Sequence, residues 1–266
     1  MRKIAQGIGY RLAVCVLASG SKGNAIFISN GETSILIDAG LSGIEIERRL
    51  RSKNLSPKML DAIFVSHEHA DHIQAVGVLS RRFHLPVYIT PKTSQAAANQ
   101  LGRIKDLRFF ECGLSFIIES LTIHPFSISH DAVDPAGFTI THAERKIGIA
   151  TDLGIGTTVV KEHLKRCDLL IIEANHDPAM LAAGPYPWAL KQRIKSRTGH
   201  LSNEDSLKLL NEVGHSNLKH VILAHLSEIN NTPQHALKAV DRKLDNCRPH
   251  FSVAVQASSG KVVFIK

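Results

Sequence analysis

The chain has 266 residues, enough for one large α/β domain or two small ones, and at that length roughly 70–75% of the unfolded surface can be buried without disulfide support. Apolar residues make up 44%, which excludes a disordered chain, and no run approaches the ~20 apolar residues of a membrane span. A formal charge of +8 favours a polyanionic partner such as nucleic acid, although many basic proteins bind none.

Met1-Arg2-Lys3 ahead of the apolar run Leu12–Ala18 loosely resembles a short signal peptide, but Gly7, Gly9, Tyr10 and Arg11 interrupt it. The run reads instead as a first core strand, Leu12–Leu17, which leads into Ser19-Gly20-Ser21-Lys22-Gly23-Asn24. Strands at Ala25–Ser29 and Ser34–Ile37 flank Asn30-Gly31, a hairpin signal. A helix follows over Leu41–Lys53, with Ser42 as its N-cap. Asp61–Ser66 is a β-branched strand that ends at a polar turn beginning with His67, and Asp71–Phe83 reads as one helix. Next come a strand at Val87–Ile89 and a helix with Pro91 at its first position. The middle is strand-rich: Leu107–Phe110, Phe116–Ile118, Leu121–Phe126, Phe138–Thr141 and Lys146–Ala150. A helix at Thr158–Lys165 and a strand at Leu169–Ile172 lead into Pro185-Tyr186-Pro187, a breaker cluster too short for a domain boundary. The last third gives helices at Ser202–Val213 and Pro233–Leu244, and strands at Val221–Ala224, Phe251–Val255 and Val262–Ile265. With no repeat and no clear linker, the pattern suggests a single domain over residues 1–266, of sheets faced by helices.

Cys15, Cys112, Cys167 and Cys247 are scattered, with no CxxC pair, which points to reduced thiols in a cytoplasmic protein. Histidine is over-represented, with 15 residues, and six positions concentrate the chemistry: His67-Glu68-His69-Ala70-Asp71-His72. His67 and His69, two apart, can project to one side of an extended turn, while Asp71 and His72 leave in other directions from the start of the next helix. Imidazole and carboxylate donors suit Zn²⁺, with Mn²⁺ or Fe²⁺ compatible. His130, Asp152 and His225 each follow a β-rich run, as His67 does, so four strands could aim ligands at one edge.

The pattern His67-x-His69-x-Asp71-His72, with His130, Asp152 and His225 in order behind it, resembles the metallo-β-lactamase-fold hydrolases. The resemblance implies a four-layer αββα sandwich and a site for two divalent transition-metal ions, Zn or Mn with Fe possible. His67, His69 and His130 would hold one ion, Asp71, His72 and His225 the other, and Asp152 would bridge them. Asp38, closing Ile35-Leu36-Ile37-Asp38, would support the ligands from behind. A water shared by the metals would be the nucleophile, with Asp71 orienting it or taking its proton.

The superfamily hosts many reactions, so the substrate must be read from other residues. Gly199-His200-Leu201-Ser202-Asn203 resembles the Gly-His segment of ribonuclease Z-like enzymes, which would place His200 at a scissile phosphate. The same segment, with Leu17-Ala18-Ser19-Gly20-Ser21-Lys22-Gly23-Asn24, Tyr186–Arg193 and His225–Asn231, is similar to the YycJ-like (WalJ-like) branch. That branch implies a cytoplasmic 5′-3′ DNA exonuclease, with DNA favoured over RNA as partner and no membrane. Lys191, Arg193, Lys195 and Arg197 could track phosphates, and Asn24 could line the substrate pocket. Trp188 could stack on a base, but a tryptophan beside Pro187 is more often a loop anchor packed into the core. The insertion of ribonuclease J-like enzymes and the long arm of ribonuclease Z have no counterpart in the sequence. The alternative to a nuclease is a small-molecule hydrolase acting on a lactone, thioester or cyclic phosphodiester at the same metals.

Overall fold

A computed structural model describes residues 12–240, 244 and 247–265. Its strands form two seven-stranded sheets. The first contains β1 (Leu12–Ala18), β2 (Ala25–Ser29), β3 (Ser34–Ile37), β4 (Ala62–Phe64), β5 (Val87–Ile89) and β6 (Leu107–Phe109). The second contains β7 (Phe116–Ile118), β8 (Leu121–Ser127), β9 (Ala136–His142), β10 (Arg145–Ala150), β11 (Leu169–Glu173), β12 (His220–Ala224) and β13 (His250–Val253). The last strand, β14 (Val263–Ile265), returns to the first sheet and pairs antiparallel with β1.

The two sheets share one plan. β14, β1, β2 and β3 pair antiparallel, and β4, β5 and β6 continue parallel from β3. Likewise β7 to β10 pair antiparallel, and β11, β12 and β13 continue parallel. Parallel strands need covering helices, and these supply the outer layers. α1 (Gly43–Arg51), α2 (Ala70–Ile73), α3 (Val76–Phe83) and α4 (Pro91–Leu101) cover the first sheet. α5 (Thr158–Leu164), α8 (Asn203–Val213) and α9 (Pro233–Val240) cover the second. Between them in sequence lie α6 (Pro178–Ala183) and α7 (Trp188–Lys195).

Strand alternation sorts the apolar residues among three cores. In β1, Leu12, Val14 and Val16 face the other sheet, while Cys15 and Leu17 face the helices. Phe64, Phe138, Ile149 and Ile171 meet between the sheets. This is the expected αββα sandwich.

Two expectations need correction, and two helices had not been expected. The helix expected over Asp71–Phe83 is two helices, α2 and α3, because Ala75 donates its N–H to the Ala39 carbonyl at 2.8 Å and leaves the helical ladder. Trp188 is no core anchor: it is 76% exposed at the start of α7, a helix that buries none of its residues. α6 and α7 are the unforeseen ones, although Asp177 caps α6 and Pro178 starts it. The helix expected over Pro233–Leu244 is described as far as Val240, and positions 241–243 lie outside the described residues, as does the segment 1–11 with its signal-like start. Among the described residues, no helix is long and apolar enough to cross a membrane.

Candidate metal centre

The chemistry-bearing residues converge where the C-terminal ends of β3, β4, β10, β11 and β12 meet. Asp38 follows β3, His67 follows β4, Asp152 follows β10, Glu173 ends β11 and His225 follows β12. Asp38, Asp152 and His225 have φ of 60°, 56° and 55°, left-handed backbone that costs a non-glycine residue about 1–3 kcal/mol and clusters at functional sites. The segment His69–His72 is pinned by backbone hydrogen bonds: Asn24 N–H donates to Asp71 C=O and Ala39 N–H to His72 C=O, both at 2.8 Å. Gly40 permits this approach, since a Cβ there would lie 1.6 Å from the Asp71 carbonyl oxygen.

Two donor groups result. In the first, His67 Nε2 and His130 Nε2 lie 3.1 and 3.2 Å from His69 Nδ1. A tetrahedral cation with nitrogen ligands at about 2.0–2.1 Å separates those nitrogens by about 3.3 Å, so the three rings suit one ion. In the second, Asp71 Oδ2 lies 3.6 Å from His72 Nε2 and 3.8 Å from His225 Nε2. Asp152 stands between the groups, with Oδ2 3.4 Å from His72 Nε2 and Oδ1 3.9 Å from His130 Nε2. Asp152 Oδ2 and His225 Nε2 are buried without a hydrogen-bond partner, which a bound cation would supply. The residues therefore fit a dinuclear divalent-metal site.

The supporting shell fixes which ring nitrogen faces inward. His72 Nδ1–H donates to Asp38 Oδ2 at 2.8 Å, leaving Nε2 for the site, and Ser66 N–H and Oγ–H also donate to Asp38 at 2.8 Å. Glu173 holds the other side. Its Oε1 accepts from His200 Nδ1 and His225 Nδ1, both at 2.8 Å, and its Oε2 from the N–H groups of Leu153 and Leu201 at 2.8 and 3.1 Å.

The charges follow from this packing. Burial opposes the charge on Glu173, yet His200 and His225 hold its carboxyl at about 2. Burial also opposes the proton on His225, but Asp152, Asp71 and Glu173 outweigh it and push the imidazole up to about 10. His200 is raised in the same way by Glu173 against burial. His67, enclosed among His72, His130 and His69, is driven well below its ordinary value by burial first. Four carboxylates, Asp38, Asp71, Asp152 and Glu173, thus demand positive charge, which protons or bound cations can provide.

All seven expected ligands lie in this one cluster. His200 joins them, its ring 5.3 Å from His130 and 5.2 Å from His225. His200 also lines an open cavity with Ser21, Asp131, Tyr186, Arg193 and His225. Arg193 donates to Asp131 Oδ2 at 2.6 Å across that cavity. Lys191 does not line it, and its Nζ bonds the Ala182 carbonyl at 2.7 Å. Asn24 turns its amide to Asp71 Oδ2 at 3.2 Å and His72 Nε2 at 3.0 Å, so it faces the ligand atoms rather than the open cavity. His176 is buried with its carbonyl accepting from Asn203 N–H, and is outside both donor groups. Glu173 is the residue that sequence reasoning missed. It closes Leu169-Leu170-Ile171-Ile172-Glu173, a polar group after a β run, which is the signal that picked out Asp152 and His225.

Comparison with known proteins gives the family and the fold. The family profile described as "Beta-lactamase superfamily domain" matches residues 33–226, a span that holds every candidate from Asp38 to His225. The chain is 38% identical over 232 residues to exodeoxyribonuclease YycJ of Bacillus anthracis, covering 86% of this chain and 88% of that one. It is 39% identical over 228 residues to exodeoxyribonuclease WalJ of Streptococcus pneumoniae, covering 84% of each. Among solved structures, the metallo-beta-lactamase fold protein YhfI from Bacillus subtilis superposes with a TM-score of 0.74 at 18% identity, over 96% of this chain and 99% of that one.

Proposed function

The chain belongs to the beta-lactamase superfamily, and on that premise we propose that it is a dinuclear metal-dependent exodeoxyribonuclease working in the 5′-3′ direction. The activity named for YycJ and WalJ supports the reading, as does the excess of basic residues. The observation that carries it is the placement of His200, which Glu173 fixes beside His130 and His225 at the inner end of an open cavity.

His67, His69 and His130 would hold one cation and Asp71, His72 and His225 the other, with Asp152 standing between the two groups. Zn²⁺ or Mn²⁺ suits these donors, and Fe²⁺ is compatible. When bound, the pair of cations activates water and neutralises charge on phosphate oxygens. Asp71, half-buried, would accept the proton of the attacking water. His200 gives its Nδ1–H to Glu173, which leaves Nε2 to hold a proton for the leaving oxygen. Arg193 exchanges Asp131 for a substrate phosphate, Lys191 adds positive charge on the approach, and Asn24 steadies Asp71. DNA is favoured over RNA, after the relatives, and four unpaired cysteines suit the cytoplasm.

The test is a panel of 5′-phosphorylated and unphosphorylated DNA and RNA, single- and double-stranded, with Zn²⁺- and Mn²⁺-loaded protein. His200→Ala should lower kcat on DNA by about 10²–10³-fold with metal content unchanged. No cleavage of any strand by protein carrying two metals would refute the nuclease reading and favour a small-molecule hydrolase.

A further inference from the structure

Helix α7 needs an explanation that the metal centre does not give. Most short helices are held by burying an apolar face, yet none of the eight residues of α7 is buried. Leu190, Arg193 and Ile194 turn toward the cavity that leads to His200. Trp188, Lys191 and Lys195, at i, i+3 and i+7, share the outer face. Trp188 is the single tryptophan of the chain and is 76% exposed. From Pro178 to Asn203 the sequence has no Asp or Glu but four cations: Lys191, Arg193, Lys195 and Arg197. Of these, only Arg193 has a carboxylate partner among the described residues, Asp131.

We propose that the outer face of α7 is the path of a single DNA strand, with Trp188 stacking on a base beyond the nucleotide being cleaved and Lys191 and Lys195 lying along the phosphates. The assignment rests on the nuclease reading and adds to it the surface that grips the strand. Size and charge both fit. The stripe from Trp188 to Lys195 is about 10 Å long at 1.5 Å per residue, which spans about three nucleotides at the 3.4 Å step of a stacked strand. The ring supplies a stacking face that accepts any base, and the lysines supply charge indifferent to sequence, as an exonuclease that meets every sequence requires. An aromatic ring on a carboxylate-free stretch suits a polyanion better than an apolar protein surface, which would leave the lysines without a counter-charge.

Because Trp188 is the single tryptophan, its emission reports on this face alone. The experiment titrates the metal-loaded full chain with a short, end-labelled phosphorothioate oligothymidylate that resists cleavage, and with a matched strand of abasic residues. Label anisotropy follows binding and tryptophan emission follows stacking. The expected result is emission quenched in step with anisotropy by the oligothymidylate, and little quenching by the abasic strand although it binds. Trp188→Ala should weaken oligonucleotide binding about 5- to 150-fold and raise KM rather than lower kcat, and Trp188→Phe should restore most of the loss.

Binding and cleavage without quenching, equal quenching by the abasic strand, or an Ala variant with wild-type KM would overturn the assignment and leave the nuclease reading standing. An emission change that follows protein concentration instead of oligonucleotide would overturn it too, and mark the face as a contact between copies of the chain. If no strand is bound or cleaved, both fall.

Discussion

Glu173→Gln replaces one carboxylate oxygen by a donor with almost no change in shape, at a residue with no exposed surface. In the native site each oxygen of Glu173 serves two donors, four in all. If the new amide nitrogen faces the N–H groups of Leu153 and Leu201, two buried donors lose their acceptor. At about 1–3 kcal/mol each, that is about 2–6 kcal/mol of a stability that totals about 5–15 kcal/mol for a typical domain. If it turns the other way, His200 and His225 must give up their Nδ1 protons, and a neutral His225 ring then carries its proton on Nε2, the nitrogen aimed at the metal. That route costs about 10- to 100-fold in metal affinity or activity instead. Urea unfolding followed by circular dichroism measures the first cost, and chelator competition with oligonucleotide hydrolysis measures the second. A Gln variant that matches the wild type in urea midpoint, metal affinity and kcat would show that the carboxylate does not hold the two rings.

Two further substitutions probe the opposite wall. Asp38→Asn removes the charge that accepts His72 Nδ1–H, and chelator competition should show metal bound about 10- to 100-fold more weakly, while an unchanged affinity would mean that Ser66 Oγ, 3.2 Å from His72 Nδ1, alone orients the ring. Gly40→Ala forces a Cβ to within 1.6 Å of the Asp71 carbonyl oxygen, so the turn must part from His69–His72. Its thermal unfolding should show a loss of about 2–5 kcal/mol, and a melting temperature equal to wild type would contradict the close approach.

Much of the fold was legible because strands buried on both faces read as unbroken apolar runs. Leu12–Ala18 and Leu169–Glu173 are wholly buried and were found nearly to the residue. The break between α2 and α3 was not legible, since it depends on a hydrogen bond from Ala75 to Ala39, remote in sequence. The first four candidate ligands were legible because their residue types have few other reasons to sit within six positions, and His130, Asp152 and His225 because each follows a β-rich run. Glu173 escaped because a glutamate after a strand is ordinary, and its role lies in what His200 and His225 need from behind. Trp188 misled because burial is the usual fate of a large ring, and periodicity does not tell a helix that packs from one that overhangs a cavity.

The pairing of β14 with β1 has a consequence for the order in which the molecule comes to exist. Gln256, just ahead of that strand, accepts from Lys22 N–H at 2.9 Å, donates to the Gly23 carbonyl at 3.1 Å, and offers its own carbonyl to Arg49 at 2.8 Å. These contacts brace the glycine-rich loop that carries Asn24 against Asp71. During synthesis the first strand and that loop wait for partners made about 240 residues later. A nascent chain thus carries His67, His69, Asp71 and His72 long before His225 and Gln256 are made. A ribosome-stalled chain ending before Gln256 should retain no metal on gel filtration, whereas the released chain should, so the cutting site would be among the last parts of the protein to become competent.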